Sequence, residues 1–205
     1  MLNLGLFREK RIITKKRERA LDNFRKQAVK ALEELRKGAK HRNIKNLYDT
    51  MIYNVENTPV VFYPRRNLRS FVQRVGNKLF GSVTKGENVN RIWVVQKGNN
   101  KFIVRDNYIN MPAEHVFDGE NLTIDGIFTL SHEYAHFDKP HLGVFADSLG
   151  IDPHTAEELM ADILSAKLAV KMGYPKKRVL GHFAGRGIVY GSFPFEKYIS
   201  SAIGF

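Results

Sequence analysis

The stretch Leu130-Ser131-His132-Glu133-Tyr134-Ala135-His136 decides how the rest of the chain is interpreted. It has the pattern H-E-x-x-H. On a helix, residues four positions apart lie on one face, so the imidazoles of His132 and His136 project from the same side. Two imidazoles placed in this way can hold one divalent metal ion, most often zinc. The adjacent Glu133 can then act as general base on water held by the metal. The pattern therefore predicts a zinc site within a helix.

A zinc site of this kind needs a third protein ligand. The best candidate is Glu158, which follows His136 by 22 residues. Glu158 and Asp162 are four residues apart and share a helical face. Asp162 can therefore accept a hydrogen bond from the outer ring nitrogen of a metal-bound histidine, which fixes the orientation of that ring. The predicted ligands are thus His132, His136 and Glu158, with Asp162 behind them.

Other interpretations of these residues stay open. Glu158 can instead be the acid of a capping box that begins at Thr155. Glu157 is the second choice as metal ligand, because Ala161 and not an acid follows it by four residues. If neither glutamate binds metal, three histidines elsewhere in the chain are the next candidates, namely His141, His154 and His182.

A peptide-hydrolysing site also needs groups that stabilise negative charge on the substrate oxygen. His182 precedes Arg186 and Tyr190 in the C-terminal part of the chain. Any of these three side chains can polarise a carbonyl group or stabilise an oxyanion. The alternative for each of them is an ordinary core or surface role.

Charge divides the chain into two parts. The 205 residues carry a net charge of +12, and residues 1–46 alone contain 15 Lys/Arg and 5 Asp/Glu, a net charge of +10. The remaining 159 residues are nearly neutral, and 43% hydrophobic residues overall suffice for one core. We therefore predict a basic helical arm over residues 1–46 and a folded domain over residues 47–205. The absence of cysteine excludes a disulfide framework and a thiolate metal site.

The basic arm predicts contact with DNA or RNA, because clustered cations attract the phosphate backbone. Apolar residues recur behind the cations at three- and four-residue steps, which predicts a helix over residues 14–37 that is docked by a narrow apolar stripe. The alternative is a solvated helix face without a partner. The candidate nucleic-acid contacts are Lys10, Arg11, Lys15, Lys16, Arg17 and Arg19.

The rest of the chain predicts a small sheet and several helices. Strands are expected at residues 58–63, 91–96 and 101–105, the last two as a hairpin, with an edge strand at residues 108–110. Helices are expected at residues 67–79, 123–137 and 155–172, and residues 142–151 are expected to be a connection. This is an α+β fold with a small sheet beside the H-E-x-x-H helix. No apolar run is long enough for a membrane span and no signal peptide is recognisable, so we expect a soluble intracellular protein without a membrane partner.

The chain contains three segments in this order: Ile109-Asn110-Met111-Pro112, His132-Glu133-Tyr134-Ala135-His136 and Glu157-Glu158-Leu159-Met160-Ala161-Asp162. They resemble the metallopeptidase domain of ArdC-type antirestriction proteins. That domain shows an Ile-x-Met-Pro segment, an H-E-[LV]-x-H helix and a Glu-Glu-Leu-Val-Ala-Glu helix in this order. The resemblance covers roughly residues 106–173, about a third of the chain. Asp162 stands where the family has its last glutamate, and Phe137-Asp138-Lys139 replaces the usual Thr-Gly-His.

The resemblance implies a zincin-like fold in a protein that travels on mobile elements and protects incoming DNA. In full members of the family a single-stranded-DNA-binding domain precedes the peptidase domain. Together with the H-E-x-x-H pattern, this predicts a zinc-dependent metallopeptidase that cleaves a protein or peptide, comes from a mobile element or virus, and is associated with nucleic acid. The alternative is a nucleic-acid-binding antirestriction or virion accessory protein whose metal site is structural or vestigial.

Overall fold

The computed structural model describes residues 13–63, 87–97, 100–136, 142–184 and 193–205. Helices predominate in these ranges and are accompanied by a small sheet, which confirms the α+β class. The helices are α1 (Lys15–Gly38), α2 (Arg42–Asn57), α3 (Ala113–Val116), α4 (Ile124–Ala135), α5 (Leu142–Leu149), α6 (Pro153–Lys171), α7 (Lys176–Ala184) and α8 (Phe195–Ile203). The strands are β1 (Val60–Tyr63), β2 (Glu87–Lys97), β3 (Asn100–Pro112), β4 (Phe117–Asp118) and β5 (Asn121–Leu122). A search of the described helices for one with the length and apolar character of a membrane span finds none.

The N-terminal helix α1 confirms the predicted basic helix and its apolar stripe. Thr14 caps it, and its side chain accepts a hydrogen bond from the backbone N–H of Arg17. The stripe residues Leu21, Phe24, Ala28 and Ala31 are buried, and the ring of Phe24 stacks on that of Tyr134 with the centroids 6.5 Å apart. Since Tyr134 belongs to α4, the basic helix is packed directly on the helix that carries the histidine pattern.

A second helix, α2, was not expected from the sequence. The predicted division between residues 46 and 47 rests on charge, and it falls inside α2. The buried residues Tyr48, Met51 and Val55 recur at steps of three and four, which is the periodicity of a helix packed on one side. α2 lies against both α1 and α4, so it joins the basic helix to the core.

The main sheet has the order β1-β3-β2, with β1 parallel and β2 antiparallel to β3. The first strand and the hairpin are confirmed, although the hairpin strands are longer than predicted. The prediction of a separate edge strand at residues 108–110 is wrong, because these residues continue β3, the central strand. Asp106 and Asn107 do not break the strand. They pair with Arg91 and Asn90 of β2, so the register of the two strands is uninterrupted.

Gly126 makes the start of α4 possible. Thr123 caps this helix, and its Oγ1 accepts a hydrogen bond of 2.8 Å from the N–H of Gly126. A Cβ atom at position 126 would lie 2.6 Å from both the Cα and the carbonyl oxygen of Val116. These are backbone atoms, which cannot rotate away. The close approach of the two segments, and not a turn, therefore requires glycine at this helical position.

We expect Gly126→Ala to lower the free energy of unfolding by about 1–3 kcal/mol, the usual range for overpacking a close contact. The matched control is Gly181→Ala in α7, where an added Cβ meets nothing within 4 Å. There the higher helix propensity of alanine should stabilise the protein by up to about 1 kcal/mol. Urea unfolding of both variants measures the difference. Equal stabilities would show that the contact with Val116 does not constrain the helix.

One correction concerns the region between the metal-ligand candidates. The prediction of a connection over residues 142–151 is wrong, because α5 occupies Leu142–Leu149 and ends before Gly150, whose φ is +63°. An eight-residue helix shows too little periodicity to be recognised from sequence. Helix α6 confirms the prediction, with Asp152 as its cap and Pro153 in the first turn. The helix predicted at residues 67–79 lies outside the described residues.

Candidate metal centre

The two histidines of the pattern lie at the C-terminal end of α4. The helix ends at Ala135, earlier than predicted, and His136 is its C-cap residue with φ −67° and ψ 127°. Its φ is still helical, so its Cβ leaves the same face as that of His132, and only the chain beyond it departs. The rings are 4.7 Å apart between centroids, and the two Nε2 atoms are 3.0 Å apart. The i, i+4 geometry is therefore retained although the helix has ended.

Helix α6 brings Glu158 to these two nitrogens. Its Oε2 lies 3.3 Å from Nε2 of His132, and its Oε1 lies 3.7 Å from Nε2 of His136. One ligand atom from each of the three residues can be chosen so that all lie within 4.8 Å of one another. Glu158 is 8% exposed and His132 is 1% exposed, so water screens this cluster only weakly.

Each histidine also has a carboxylate at its outer nitrogen. Oδ1 of the fully buried Asp162 lies 2.8 Å from Nδ1 of His132. Oε1 of Glu157 lies 3.2 Å from Nδ1 of His136. A carboxylate at the outer nitrogen favours the neutral tautomer that carries its proton on Nδ1 and leaves Nε2 free. The sequence predicted this arrangement for Asp162 and missed it for Glu157, which had been considered only as a rival ligand.

In that tautomer the two Nε2 atoms face the inner side of the cluster and determine what it can bind. If both rings are neutral, each Nε2 atom presents a lone pair to the inside of the cluster, and the oxygens of Glu158 present further lone pairs there. A proton on one Nε2 would make a hydrogen bond between the two nitrogens only. A divalent cation would bind both nitrogens and the carboxylate of Glu158 together. Four-coordinate zinc with ligands at about 2.0–2.1 Å has ligand–ligand edges of about 3.3 Å. The two nitrogens are 3.0 Å apart, and each lies 3.3 or 3.7 Å from one of the two oxygens of Glu158, which is close to that spacing.

The capping-box interpretation of Glu158 is wrong. Asp152 caps α6: its Oδ1 accepts from the N–H of Thr155 at 3.0 Å, and its Oδ2 accepts from the hydroxyl of Thr155 at 2.5 Å. The hydrogen bond from the Thr155 side chain, followed by that from its backbone, lowers the pKa of Asp152. Thr155 is therefore inside the helix and is not the N-cap residue of a capping box that ends at Glu158.

Glu133, the predicted general base, is buried in the last turn of α4 beside His132. His182 is not brought into the ligand cluster. Its Nδ1 lies 3.2 Å from Oδ1 of Asp125 at the start of α4, and its ring meets the edge of Phe128. Asp125 precedes His132 by seven residues, about 10 Å along the helix axis. Arg186 and Tyr190, the other two candidates for stabilising an oxyanion, lie outside the described residues.

The candidate nucleic-acid contacts divide into two groups. Lys15, Lys16 and Arg19 are exposed on α1. Arg17 is half-buried: its Nε donates to the carbonyl oxygen of Gly119 at 2.8 Å, and its guanidinium lies 5.1 Å from the centre of the Phe117 ring. Arg17 therefore ties α1 to the β4–β5 turn. Lys10 and Arg11 lie outside the described residues.

Sequence reasoning missed two supporting residues, Arg25 of α1 and Asn54 of α2. Arg25 donates from Nε to the hydroxyl of Tyr134 at 3.1 Å and from Nη2 to the carbonyl oxygen of Thr58 at 3.1 Å. Burial raises the pKa of Tyr134, and the charge of Arg25 partly offsets this rise. Asn54 donates to the carbonyl oxygens of Tyr134 and His136. Contacts between residues so distant in sequence leave no local pattern that could have revealed them.

Comparison of the chain with protein-family models, curated proteins and solved structures finds no match. The resemblance to antirestriction metallopeptidases therefore remains a prediction that rests on the residues quoted for it. The interpretation of the site rests on the geometry of α4 and α6.

Proposed function

We propose that this chain is a zinc-dependent metallopeptidase of zincin-like fold. His132, His136 and Glu158 would hold the metal. One observation carries the proposal: three acceptor groups converge within 4.8 Å while carboxylates lie at both outer nitrogens. A pair of histidines that served only the core would need neither the converging carboxylate nor two outer acceptors. This arrangement supports a cation site more strongly than the H-E-x-x-H pattern does alone.

Each residue of the site has a distinct task in this proposal. When bound, zinc acts as a Lewis acid that lowers the pKa of water and polarises a carbonyl oxygen. Glu133 takes a proton from the attacking water and delivers it to the leaving amine. Asp162 and Glu157 hold the two imidazoles in the tautomer whose Nε2 is free to bind metal. The substrate is a protein or peptide.

The test of this function is metal content together with peptide hydrolysis. We expect about one zinc per chain after purification without chelator, and cleavage of casein that chelation removes and added zinc restores. The comparison variant is His132→Ala, which should lose the metal and the activity together. Wild-type protein that carries no transition metal and takes up none from added zinc would rule out the site.

A second candidate function is nucleic-acid binding through the exposed basic residues of α1 and of the α1–α2 connection. Net charge favours it, since residues 1–46 carry +10. The structure separates Arg17 and Arg25, which contact other parts of the protein, from cations that are exposed, such as Lys15, Lys16 and Arg19. The association with a mobile element, a virus particle or antirestriction rests on the family resemblance.

We expect the triple variant Lys15→Ala/Lys16→Ala/Arg19→Ala to weaken DNA or RNA binding and to flatten its salt dependence. Each lost phosphate contact should reduce the slope of log K against log[salt] by about 0.9 for duplex DNA, or about 2.7 for all three. Substitution is preferable to deleting the arm, because Leu21 and Phe24 of α1 belong to the core.

The matched control for this experiment is Lys177→Ala/Lys197→Ala, which removes two exposed cations from α7 and α8. Binding to a labelled duplex and to a labelled single strand is measured between roughly 50 and 200 mM salt. Over this range, affinity that depends on phosphate contacts falls steeply. A triple variant with the affinity and slope of the control would exclude α1 as the nucleic-acid contact.

A further inference from the structure

Asn54 links helix α2 to the segment that carries the second histidine. Its Nδ2 lies 3.0 Å from the carbonyl oxygen of Tyr134 and 3.0 Å from that of His136. A primary amide has two N–H donors, so both are used, one on each carbonyl. The reverse orientation would place the amide oxygen against two other acceptors. The contact is therefore directional, and it spans Tyr134, Ala135 and His136.

The two carbonyl groups lie where α4 ends. The last four carbonyl groups of a helix have no partner within it and need another donor. α4 ends at Ala135, and the backbone of His136 is extended with ψ 127°. The N–H of His136 reaches the carbonyl oxygen of Glu133 at 3.4 Å, a long hydrogen bond. The helix therefore holds the N–H of His136 by one long hydrogen bond, and Asn54 adds two shorter hydrogen bonds across the helix end.

We propose that Asn54 is a positioning residue of the metal centre. It fixes the main chain of His136, whereas Glu157 fixes the imidazole through Nδ1. Together they keep Nε2 of His136 at 3.0 Å from Nε2 of His132. The inference rests on the proposed metal site and deepens it, because it makes α2 part of the metal centre. Asn54 acts through His136 and touches neither metal nor substrate.

The experiment compares Asn54→Ala and Asn54→Leu with Asn57→Ala. Leucine keeps most of the side-chain volume and removes both donors, so it separates hydrogen bonding from packing. Asn57 is the matched control at the end of α2, since its Nδ2 donates to the carbonyl oxygen of Tyr53 at 2.8 Å, within the same helix. Zinc affinity is measured against a competing chelator. Cobalt(II) substitution reports the coordination geometry through its visible absorption, and melting temperatures are recorded with and without zinc.

Both Asn54 variants are expected to bind zinc about tenfold more weakly, at the lower end of the effects of residues that orient metal ligands. Their cobalt spectra should differ from the wild-type spectrum, and zinc should raise their melting temperatures less than it raises that of the wild type. Asn57→Ala should match the wild type in all three measurements.

Two results would overturn the inference in different ways. Asn54 variants that melt earlier without metal, yet retain wild-type zinc affinity and cobalt spectrum, would show that Asn54 only joins α2 to α4. A wild-type protein that binds neither zinc nor cobalt would overturn the proposed metal site, and the role of Asn54 with it.

Discussion

Replacing Glu133 with glutamine is expected to lower peptidase activity by ~10²-fold or more while zinc stays bound. Glu133 is bonded in sequence to the proposed ligand His132 and is buried in the last turn of α4. Glutamine has nearly the same shape, so the packing of the helix end should survive. It cannot accept a proton from water, so the loss should appear in kcat and leave metal content unchanged.

The measurement is kcat/KM on a peptide or casein substrate, with zinc content determined on the same preparation. Glu196→Gln is a suitable control, because Glu196 is an exposed acid in the first turn of α8. Full activity in Glu133→Gln would exclude this residue as the base. Nucleic-acid binding that survives both chelation and Glu133→Gln, with no cleavage by the wild type, would favour the second candidate function.

The ligand candidates could be predicted from sequence because the pattern that identifies them is local. His132 and His136 are four residues apart, and so are Glu158 and Asp162, which is the repeat that places side chains on one helical face. The prediction also required that α4 and α6 pack together, and the apolar character of α6 made this reasonable. Distances within each pair follow from helix geometry, and the distance between the pairs does not.

Glu157 shows why the outer partner of His136 was missed. It is offset by about 100° around α6 from Glu158, so it does not share the face that Glu158 and Asp162 define. His136 lies one turn beyond His132, which places its outer nitrogen near a different part of α6. The partner of each imidazole depends on how the two helices cross. No spacing within either helix specifies that crossing.

The contacts that Arg25 of α1 and Asn54 of α2 make with the end of α4 could not be predicted for the same reason. They join residues that lie much farther apart in the sequence. Asn54 precedes the carbonyl groups that it contacts by 80 and 82 residues, and Arg25 precedes Tyr134 by 109. Charge alone places the division of the chain at residue 46. The apolar stripe of α1 predicts that this helix is docked, and the spacing of Tyr48, Met51 and Val55 in α2 gives a second buried face. Net charge reports the exposed side chains of a segment, and it does not determine whether the opposite face of that segment is buried.

The variants Glu158→Gln, Asp162→Asn and Glu157→Gln are expected to weaken zinc binding to different extents. Glu158 supplies the only carboxylate oxygens near both Nε2 atoms within the described part of the chain. Glutamine there replaces a charged ligand with a neutral one, so affinity should fall by more than ~100-fold. Asp162→Asn and Glu157→Gln act through the imidazoles and should cost ~10- to 100-fold. Asp162 should have the larger effect of these two, because its contact is shorter and fully buried.

Zinc affinity and melting temperature together test this order. A metal that binds only the folded protein stabilises it, and a hundredfold loss of affinity removes about 2.7 kcal/mol of that stabilisation at saturating zinc. Glu158→Gln should therefore show the smallest rise in melting temperature when zinc is added. If Glu157→Gln loses zinc while Glu158→Gln retains wild-type affinity, the ligand is the neighbouring glutamate. If all three variants keep wild-type affinity, the third ligand is neither glutamate of α6, and the described candidates His154 and His182 and the undescribed His141 are the next residues to substitute.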